Sequence, residues 1–523
     1  MVARNKKTWI CSLAVAAAYF CGGAMQAQTL VIEGGTLIDG TGRPPVKDAV
    51  VVIEGNRFKA IGVKGKVTIP PNAKVIKADG KTILPGLIDT VNQSDWSYQA
   101  PLWLHFGYTS LYGPGRRFGN WGGSEYMRAS KAAQENGAFQ SPRLFLAAQG
   151  VQGPVELLRN DIRLLAKPWP VGWSVRTPEE ARAAVDKTVA EGHGTIDALM
   201  ILEGFTPELL RVVTDQAHKH GLVVGGRAEY VDMTCANGQD HSWHMASIVR
   251  STITNPANVA KLKEMREKQW QLYWPITDGN YAYMMEPDKF DSLIQRMVKN
   301  HCFLMPTIVH SSWGWGTQMP HVKEWEEEIM EFAKNTPGLD FVPQRARNLW
   351  LNARDTASRV KGRYVVGDQV NANHPRDMEG YAKRDEFLRR FVNAGGKLMG
   401  GADNNFDAVP GLSSVHELEQ LVYSGLTPMQ AVLSVTKWAA ESWHKDKDIG
   451  TVEPGKLADL ITLNADPLAD IKNIKEVDTV ILDGKVMNTA FDPNWKNPIP
   501  YPEGKDGTIR GVGKKPGQRS EGR

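Results

Sequence analysis

Short apolar runs separated by turn residues occupy both ends of the chain. Between Thr29 and Lys81, stretches such as Ala49-Val-Val-Val-Ile-Glu alternate with Gly and Asn turn residues. The same pattern recurs at Gly455–Leu463 and Thr479–Val486. Alternating β-branched residues bounded by turn residues predict short antiparallel strands. We therefore expect one small β-sandwich assembled from both ends of the chain.

The middle of the chain follows a different pattern, in which strands and helices alternate. Pro178–Glu191 and Pro207–His220 carry apolar residues at helical spacing, and the apolar run Leu222–Gly226 follows the second of them. Strands alternating with amphipathic helices predict a parallel α/β barrel.

The first residues form a separate unit. Lys6 and Lys7 precede an apolar stretch from Ile10 to Phe20, and small residues follow up to Ala27. A positively charged N-terminus, a short apolar stretch and small residues at a cleavage site are typical of a secretory signal peptide. We expect an exported protein, periplasmic or extracellular, that does not span a membrane.

These patterns divide the chain into five parts. They are a signal peptide at 1–27, an N-terminal sandwich part at 28–85, a (β/α)8 TIM-like barrel at 86–445, a C-terminal sandwich part at 446–490 and an extended or disordered tail at 491–523.

Charge and cysteine content narrow the function classes. The 523 residues carry a net charge of +4, and loss of the signal peptide would remove three of the positive charges and none of the negative ones. A near-neutral chain without a basic cluster argues against nucleic acid as a partner. Two of the cysteines leave with the signal peptide, so one disulfide between Cys235 and Cys302 is possible in an oxidising compartment.

The stretch Thr82–Gln93, which reads Thr-Ile-Leu-Pro-Gly-Leu-Ile-Asp-Thr-Val-Asn-Gln, resembles the amidohydrolase superfamily. The phrases Glu453–Leu460 and Ala465–Leu468 resemble the same superfamily, and the nearest likeness is to its imidazolonepropionase-like and Xaa-Pro dipeptidase-like branch. The resemblance implies a barrel flanked by a composite sandwich. It also implies hydrolysis of C–N bonds by water that a divalent metal activates.

Most metal-ligand positions of the superfamily are substituted here. Val91 and Gln93 stand where the first strand carries His-x-His, Met200 replaces the lysine that becomes carboxylated, and Arg227 replaces the histidine after the fifth strand. Valine has no lone pair, a thioether cannot be carboxylated, and a permanent cation repels a metal. We therefore expect no binuclear metal centre.

Two family positions are kept, namely His244 after the sixth strand and Asp403 after the eighth. His310 closes the predicted strand Phe303–His310, so His244, His310 and Asp403 could bind one Zn²⁺ with an open position for water. Without a metal, Arg227 could pair with Asp403 directly or through water, with His244 beside them. Alternatively, Arg227 could bind a substrate carboxylate while Asp403 acts as a general base.

Aromatic residues cluster near the predicted mouth. They could line a pocket for an apolar or aromatic ligand, or fill space where a hydrated metal sits in the family. The set is Trp96, Tyr98, Trp103, Trp243, Trp313 and Trp315. The His218-x-His220 pair lies on a predicted helix, where side chains two residues apart diverge and cannot share one ion.

The predicted site has catalytic Asp403, His244 and Arg227, and substrate-binding Arg227, Trp243, His310 and Trp313. Three functions stay open. The first is a degenerate member that binds a small amide-like or aromatic molecule, or supports an active paralogue within a homo- or hetero-oligomer. The second is a hydrolase with one Zn²⁺ or similar ion, and the third is metal-free acid/base chemistry.

Overall fold

The computed structural model describes residues 29–91, 98–114, 123–154, 173–227, 230–268, 281–309, 320–353, 375–403 and 408–498. The predicted signal peptide and residues 499–523 of the predicted tail lie outside these ranges.

The N-terminal part is built from short strands, as the alternating pattern predicts. They are β1 (Thr29–Glu33), β2 (Thr36–Leu37), β3 (Val46–Lys47), β4 (Ala49–Glu54), β5 (Arg57–Val63), β6 (Lys74–Lys77) and β7 (Thr82–Pro85). Four of them form a sheet in the order β5-β4-β1-β6, antiparallel except for the β1–β6 pair.

A parallel sheet follows in the middle of the chain. Its strands are β8 (Leu87–Asp89), β9 (Tyr108–Pro114), β10 (Arg143–Gln152), β11 (Trp173–Ser174), β12 (Ile196–Ile201), β13 (Val223–Gly226), β14 (His241–Trp243) and β15 (Phe303–Met305). The order is β15-β14-β13-β12-β10-β9-β8, with β11 beside β10. Met399 N donates to Leu304 O at 2.9 Å and Thr90 N to Gly400 O at 3.2 Å, so residues 397–400 link the two ends of the sheet. The result is a TIM-like α/β fold.

Helices alternate with these strands. They are α1 (Ala100–His105), α2 (Gly123–Glu135), α3 (Pro178–Gly192), α4 (Pro207–Lys219), α5 (Val231–Ala236), α6 (Ala246–Ser251), α7 (Pro256–Lys268), α8 (Phe290–Lys299), α9 (Pro320–Asn335), α10 (Gln344–Leu351), α11 (Pro375–Asn393), α12 (Leu412–Tyr423), α13 (Pro428–Ser434) and α14 (Lys437–Ser442). The hydroxyls of Thr177 and Thr206 cap α3 and α4, and a proline follows each cap. Both predicted helices are therefore confirmed to within two residues, because their start signals are local.

The chain ends with three more strands, β16 (Leu460–Leu463), β17 (Val477–Leu482) and β18 (Lys485–Val486). They extend β7, β2 and β3 into a six-stranded sheet in the order β18-β17-β16-β7-β2-β3. Ile32 and Val51 of the first sheet share one buried cluster with Ile83, Leu460 and Ile481 of this sheet. Strands from both ends of the chain thus pack on common apolar contacts.

Gly86 marks the passage from the small sheet to the barrel. A Cβ atom at this position would lie 2.1 Å from Thr109 Oγ1, so only glycine lets the chain pass β9 this closely. β7 pairs with β16 and β8 pairs with β9, so the chain changes sheets at this glycine.

The start of the predicted tail packs on the barrel helices. The Phe491 ring lies 4.5 Å from the His105 ring, and the Trp495 ring lies 5.6 Å from that of Phe341. Separately, no helix in the described ranges is long and apolar enough to cross a membrane.

Candidate functional site

The C-terminal ends of parallel strands meet at one edge of the sheet, and the predicted site residues lie there. Val91 follows β8, Met200 lies in β12, Arg227 follows β13, His244 follows β14, and Asp403 follows the segment at 397–400. Each is at most 2% exposed. We call this end of the barrel the mouth, the place where this fold builds its active sites.

Val91 and Met200 are part of the apolar filling of the barrel. Both belong to one buried cluster with Trp243, Met305 and Trp443. Neither side chain offers an oxygen or nitrogen atom to a hard or borderline divalent ion. Two positions that carry metal ligands in the resembled family are therefore occupied by hydrophobic packing.

Trp243 points into the same cluster and is 4% exposed. Its Nε1 donates to His241 Nδ1 at 2.8 Å, and the His241 ring stacks on Trp443 at 5.7 Å. Burial lowers the pKa of His241 to about 4, so this imidazole is neutral. A Cβ atom on Gly225 would lie 1.8 Å from the His241 ring, which explains glycine there. This placement favours packing over substrate binding for Trp243.

His244 is held in one orientation at the mouth. Its backbone has a left-handed φ of 66°, its N–H donates to Met305 O at 2.7 Å, and its Nδ1 lies 2.6 Å from Thr307 Oγ1. The Thr307 hydroxyl donates its proton to Pro306 O at 2.8 Å. A hydroxyl has one proton, so Nδ1 of His244 supplies the proton to Thr307. The lone pair of the neutral ring is then on Nε2.

Asp403 lies near a second carboxyl group. It has a φ of 49° and is 1% exposed. Asp89 accepts hydrogen bonds from Val91 N at 3.1 Å and from Ser414 Oγ at 2.6 Å. Burial, opposed by these two bonds and aided by Asp403, raises the pKa of Asp89 to about 7. Asp89 can therefore hold a proton near neutral pH.

Glu417 of α12 holds the chain after β15. Its carboxylate accepts from Ile308 N at 3.0 Å and Val309 N at 2.7 Å, and the side chain is fully buried. Burial raises the pKa of Glu417 to about 8, while the two amides and Arg384 lower it. The segment that Glu417 fixes begins directly after Thr307, the partner of His244.

The predicted strand Phe303–His310 is wrong in its extent. β15 ends at Met305, because Pro306 has no N–H and Thr307 adopts a left-handed φ of 47°. His310 lies outside the described residues, as do Gln93, Trp96, Trp313 and Trp315, so the mononuclear set with His310 stays a prediction. Of the other predicted mouth aromatics, Trp103 is fully buried in the core, where its Nε1 bonds Gln99 at 3.3 Å.

The cations at the mouth have separate surroundings. Arg250 of α6 pairs with Glu203 at 3.1 Å, and each side chain is 1% exposed. No salt bridge within 4 Å joins Arg227 and Asp403, both of which lie in described ranges. The direct form of that pair is therefore not observed, and the water-bridged form stays a prediction.

The His218-x-His220 pair does not converge on one ion. Nε2 of His218 bonds Asp240 at 2.9 Å and Nε2 of His220 bonds Asp186 at 2.7 Å, on the surface of α4. The prediction from helical geometry is confirmed.

Sequence reasoning missed Asp89, Thr307, Glu417 and the Glu203–Arg250 pair. Asp89 lies within the phrase that carries the family resemblance, and Glu417 follows His416 near the predicted eighth strand. Their contacts join residues that lie 47 to 325 positions apart, so the sequence marked the positions without indicating the roles.

Comparisons with known proteins agree with this architecture. Residues 314–487 match the model of the amidohydrolase family. A 5-methylthioadenosine/S-adenosylhomocysteine deaminase from Thermodesulfovibrio yellowstonii is 24% identical over 216 residues, which is 39% of this chain and 47% of that protein. The alignment thus spans about half of that relative.

Solved structures share the fold over most of the chain. A Xaa-Pro dipeptidase with bound methionine in its active site is 19% identical with a TM-score of 0.56, covering 88% of this chain and 100% of the other. A molinate hydrolase is 17% identical with a TM-score of 0.55, covering 89% of this chain and 95% of the other. At these identities the likeness shows the fold, and the predicted resemblance to the amidohydrolase superfamily is confirmed.

Proposed function

We propose that this amidohydrolase-like chain binds a small amide-type or aromatic molecule at the mouth and does not assemble the binuclear metal centre of the superfamily. The observation that carries the proposal is the burial of Val91 and Met200 in the barrel's apolar cluster. A deaminase and a dipeptidase among the relatives support a ligand with a C–N bond.

The side chains at the mouth do not suit two divalent metal ions. Among the described family positions, only His244 Nε2 and the Asp403 carboxylate offer donor atoms. Arg227 adds a permanent positive charge at the same end of the barrel, which opposes a divalent ion. Two donors and a cation do not fit a bridged two-metal site, so no reaction step is assigned to such a site.

The residues present support a different use of the mouth. Arg227 offers a fork of N–H donors that matches a ligand carboxylate or carbonyl oxygen. His244 Nε2 can accept a hydrogen bond from a ligand, because the proton on Nδ1 is used in the hydrogen bond to Thr307. The Asp403 carboxylate could accept a second ligand N–H or act as a base. These groups suit binding of an N-acyl amino acid or Xaa-Pro dipeptide.

A hydrolase with one metal ion is the second candidate. It is favoured by the orientation of His244, whose Nδ1 is held by Thr307, and by the presence of Asp403 at the same end of the barrel. His310 would be its third ligand. In that case a single ion would supply the activated water and Arg227 would serve the substrate alone.

Export and the composite sandwich belong to the same proposal. The N-terminal pattern supports export, and the Cys235–Cys302 disulfide is typical of an oxidising compartment. The apolar cluster shared by the two small sheets supports a composite β-sandwich.

The test is binding and turnover of Xaa-Pro dipeptides by the purified protein, before and after treatment with a chelator. We expect binding that the chelator leaves unchanged, no metal-dependent hydrolysis, and at least about tenfold weaker binding by Arg227→Gln. Hydrolysis that the chelator abolishes and Zn²⁺ restores would instead establish the one-metal enzyme.

A further inference from the structure

A further group of potential metal ligands, none of them at a family ligand position, lies between α9 and α12. Glu328 comes from α9, and His416 and Glu419 come from one face of α12, three residues apart. One ligand atom from each residue lies within 4.8 Å of the others. We call these three residues the interhelical cluster.

The interhelical cluster is built into the protein. His416 Nε2 lies 3.0 Å from Glu328 Oε2, and Trp325 Nε1 donates to Glu419 Oε2 at 2.7 Å. The Trp325 ring stacks on His416 with centroids 5.2 Å apart. His416 is fully buried and Glu419 is 1% exposed. Contacts from both helices thus fix the side chains.

Two polar atoms of the interhelical cluster are left over. Within the described part of the chain, Glu419 Oε1 and His416 Nδ1 are buried and make no hydrogen bond. A carboxylate oxygen buried without a partner is costly. Glu419 therefore has an unused acceptor that a cation could satisfy.

The charges of the interhelical cluster do not balance. Lys475 contacts Oε1 of Glu328 and leaves Glu419 with only a neutral indole donor. Glu328 Oε2 is the oxygen that faces His416 Nε2 at 3.0 Å. The nearby Lys472 is paired with Glu324 at 3.0 Å. Two carboxylates therefore share one lysine.

We propose that Glu328, His416 and Glu419 bind one divalent transition-metal ion of the Zn²⁺ type. One imidazole and two carboxylates suit Zn²⁺ or Co²⁺ better than Ca²⁺ or Mg²⁺, and three protein ligands leave a fourth position for water. The ion would replace the proton between His416 and Glu328, with Glu419 as third ligand. Lys475 can stay on the other Glu328 oxygen, outside the coordination shell.

Such an ion would brace α9 against α12. The proposal is independent of the function of the mouth, because none of the three ligands is a mouth residue.

The experiment uses the full mature chain, stripped with a chelator and titrated with Co²⁺ or Zn²⁺ by calorimetry, with Co²⁺ absorption as the second readout. We expect one equivalent to bind, with affinity reduced at least about tenfold in His416→Gln and in Glu419→Gln. The double variant His244→Gln/Asp403→Asn is the matched control and should keep this equivalent.

The proposal is overturned if the wild type binds no Co²⁺ or Zn²⁺, or if both cluster variants bind as tightly as the wild type. Loss of binding only in the mouth control would place the ion at the mouth and overturn it as well. Glu419→Gln preserves the acceptor for Trp325, so it decides the matter if His416→Gln fails to fold. Zn²⁺ should raise the melting temperature of the wild type and leave that of Glu419→Gln unchanged.

Discussion

At the scale of single residues, the mouth shows how one backbone position can carry different chemistry. Val91 and Met200 have joined the apolar cluster, whereas His244 keeps a hydrogen-bonded orientation that a ligand or an ion could use. Carboxyl groups remain in the same region, with Asp403 beside Asp89 and with Glu417 fixing the segment after β15. The described positions of the mouth thus combine apolar packing with groups that can hold protons.

Glu417 makes the stability of the protein depend on pH. Burial raises the pKa of Glu417 from 4.5 to about 8, so the folded state holds a proton that the unfolded chain has released between those values. The free energy of unfolding should therefore fall as pH rises through this range. Asp89, with its pKa raised to about 7, acts in the same direction. His241, with its pKa lowered from 6.5 to about 4, opposes both below pH 6.5.

The effect of Glu417 on the free energy of unfolding is therefore clearest between pH 6.5 and 8, where His241 does not oppose it. We expect Glu417→Gln, which cannot ionise, to reduce the fall in unfolding free energy across this window by about 2 kcal/mol. Denaturant unfolding at several pH values measures it, with the exposed Glu208→Gln as the control that should keep the wild-type slope. Equal slopes for the wild type and Glu417→Gln would contradict the role of this carboxyl group.

At the scale of elements, the connections around β14 and β15 shape the mouth. The apolar stretch after Phe303 suggests a long strand, yet Pro306 ends β15, and Glu417 binds the amides that follow. Cys302 precedes β15 directly and is disulfide-bonded to Cys235 of α5, across 67 residues of chain. The sequence allowed this disulfide, and the structure confirms it. The disulfide links α5, which follows Arg227, to the start of β15, which precedes Thr307.

Removal of this disulfide should destabilise the barrel. We expect Cys235→Ala/Cys302→Ala to lose about 2–4 kcal/mol of unfolding free energy, because the unfolded chain gains the freedom of a long loop. Urea unfolding with and without a reductant measures the loss. The reductant should weaken the wild type to the level of the double variant and leave that variant unchanged. A wild type with the same urea midpoint under both conditions would show that the bond contributes nothing.

At the scale of the whole molecule, local signals and distant contacts were predictable to different degrees. The Thr-Pro starts of α3 and α4 are read from a few adjacent residues, so both helices were predicted closely. The pairing of β7 with β16 joins residues 375 to 381 positions apart, and the sequence pattern suggested only that both ends of the chain share one sandwich. The placement of Trp243 on the same side of β14 as His241 could be predicted, because residues two apart on a strand point to the same face. The contacts of Glu417 and the Glu203–Arg250 pair could not be predicted from the sequence, because they form only when several elements pack together.

The most direct test of the whole account is the metal content of two proteins expressed with added Zn²⁺, the wild type and His244→Gln/Asp403→Asn. Emission spectrometry of the folded, desalted proteins gives metal equivalents per chain. If the mouth holds no metal, both proteins carry the same number of equivalents, whatever the interhelical cluster binds. Loss of one or two equivalents in the double variant would contradict the account and return the mouth to metal-dependent hydrolysis.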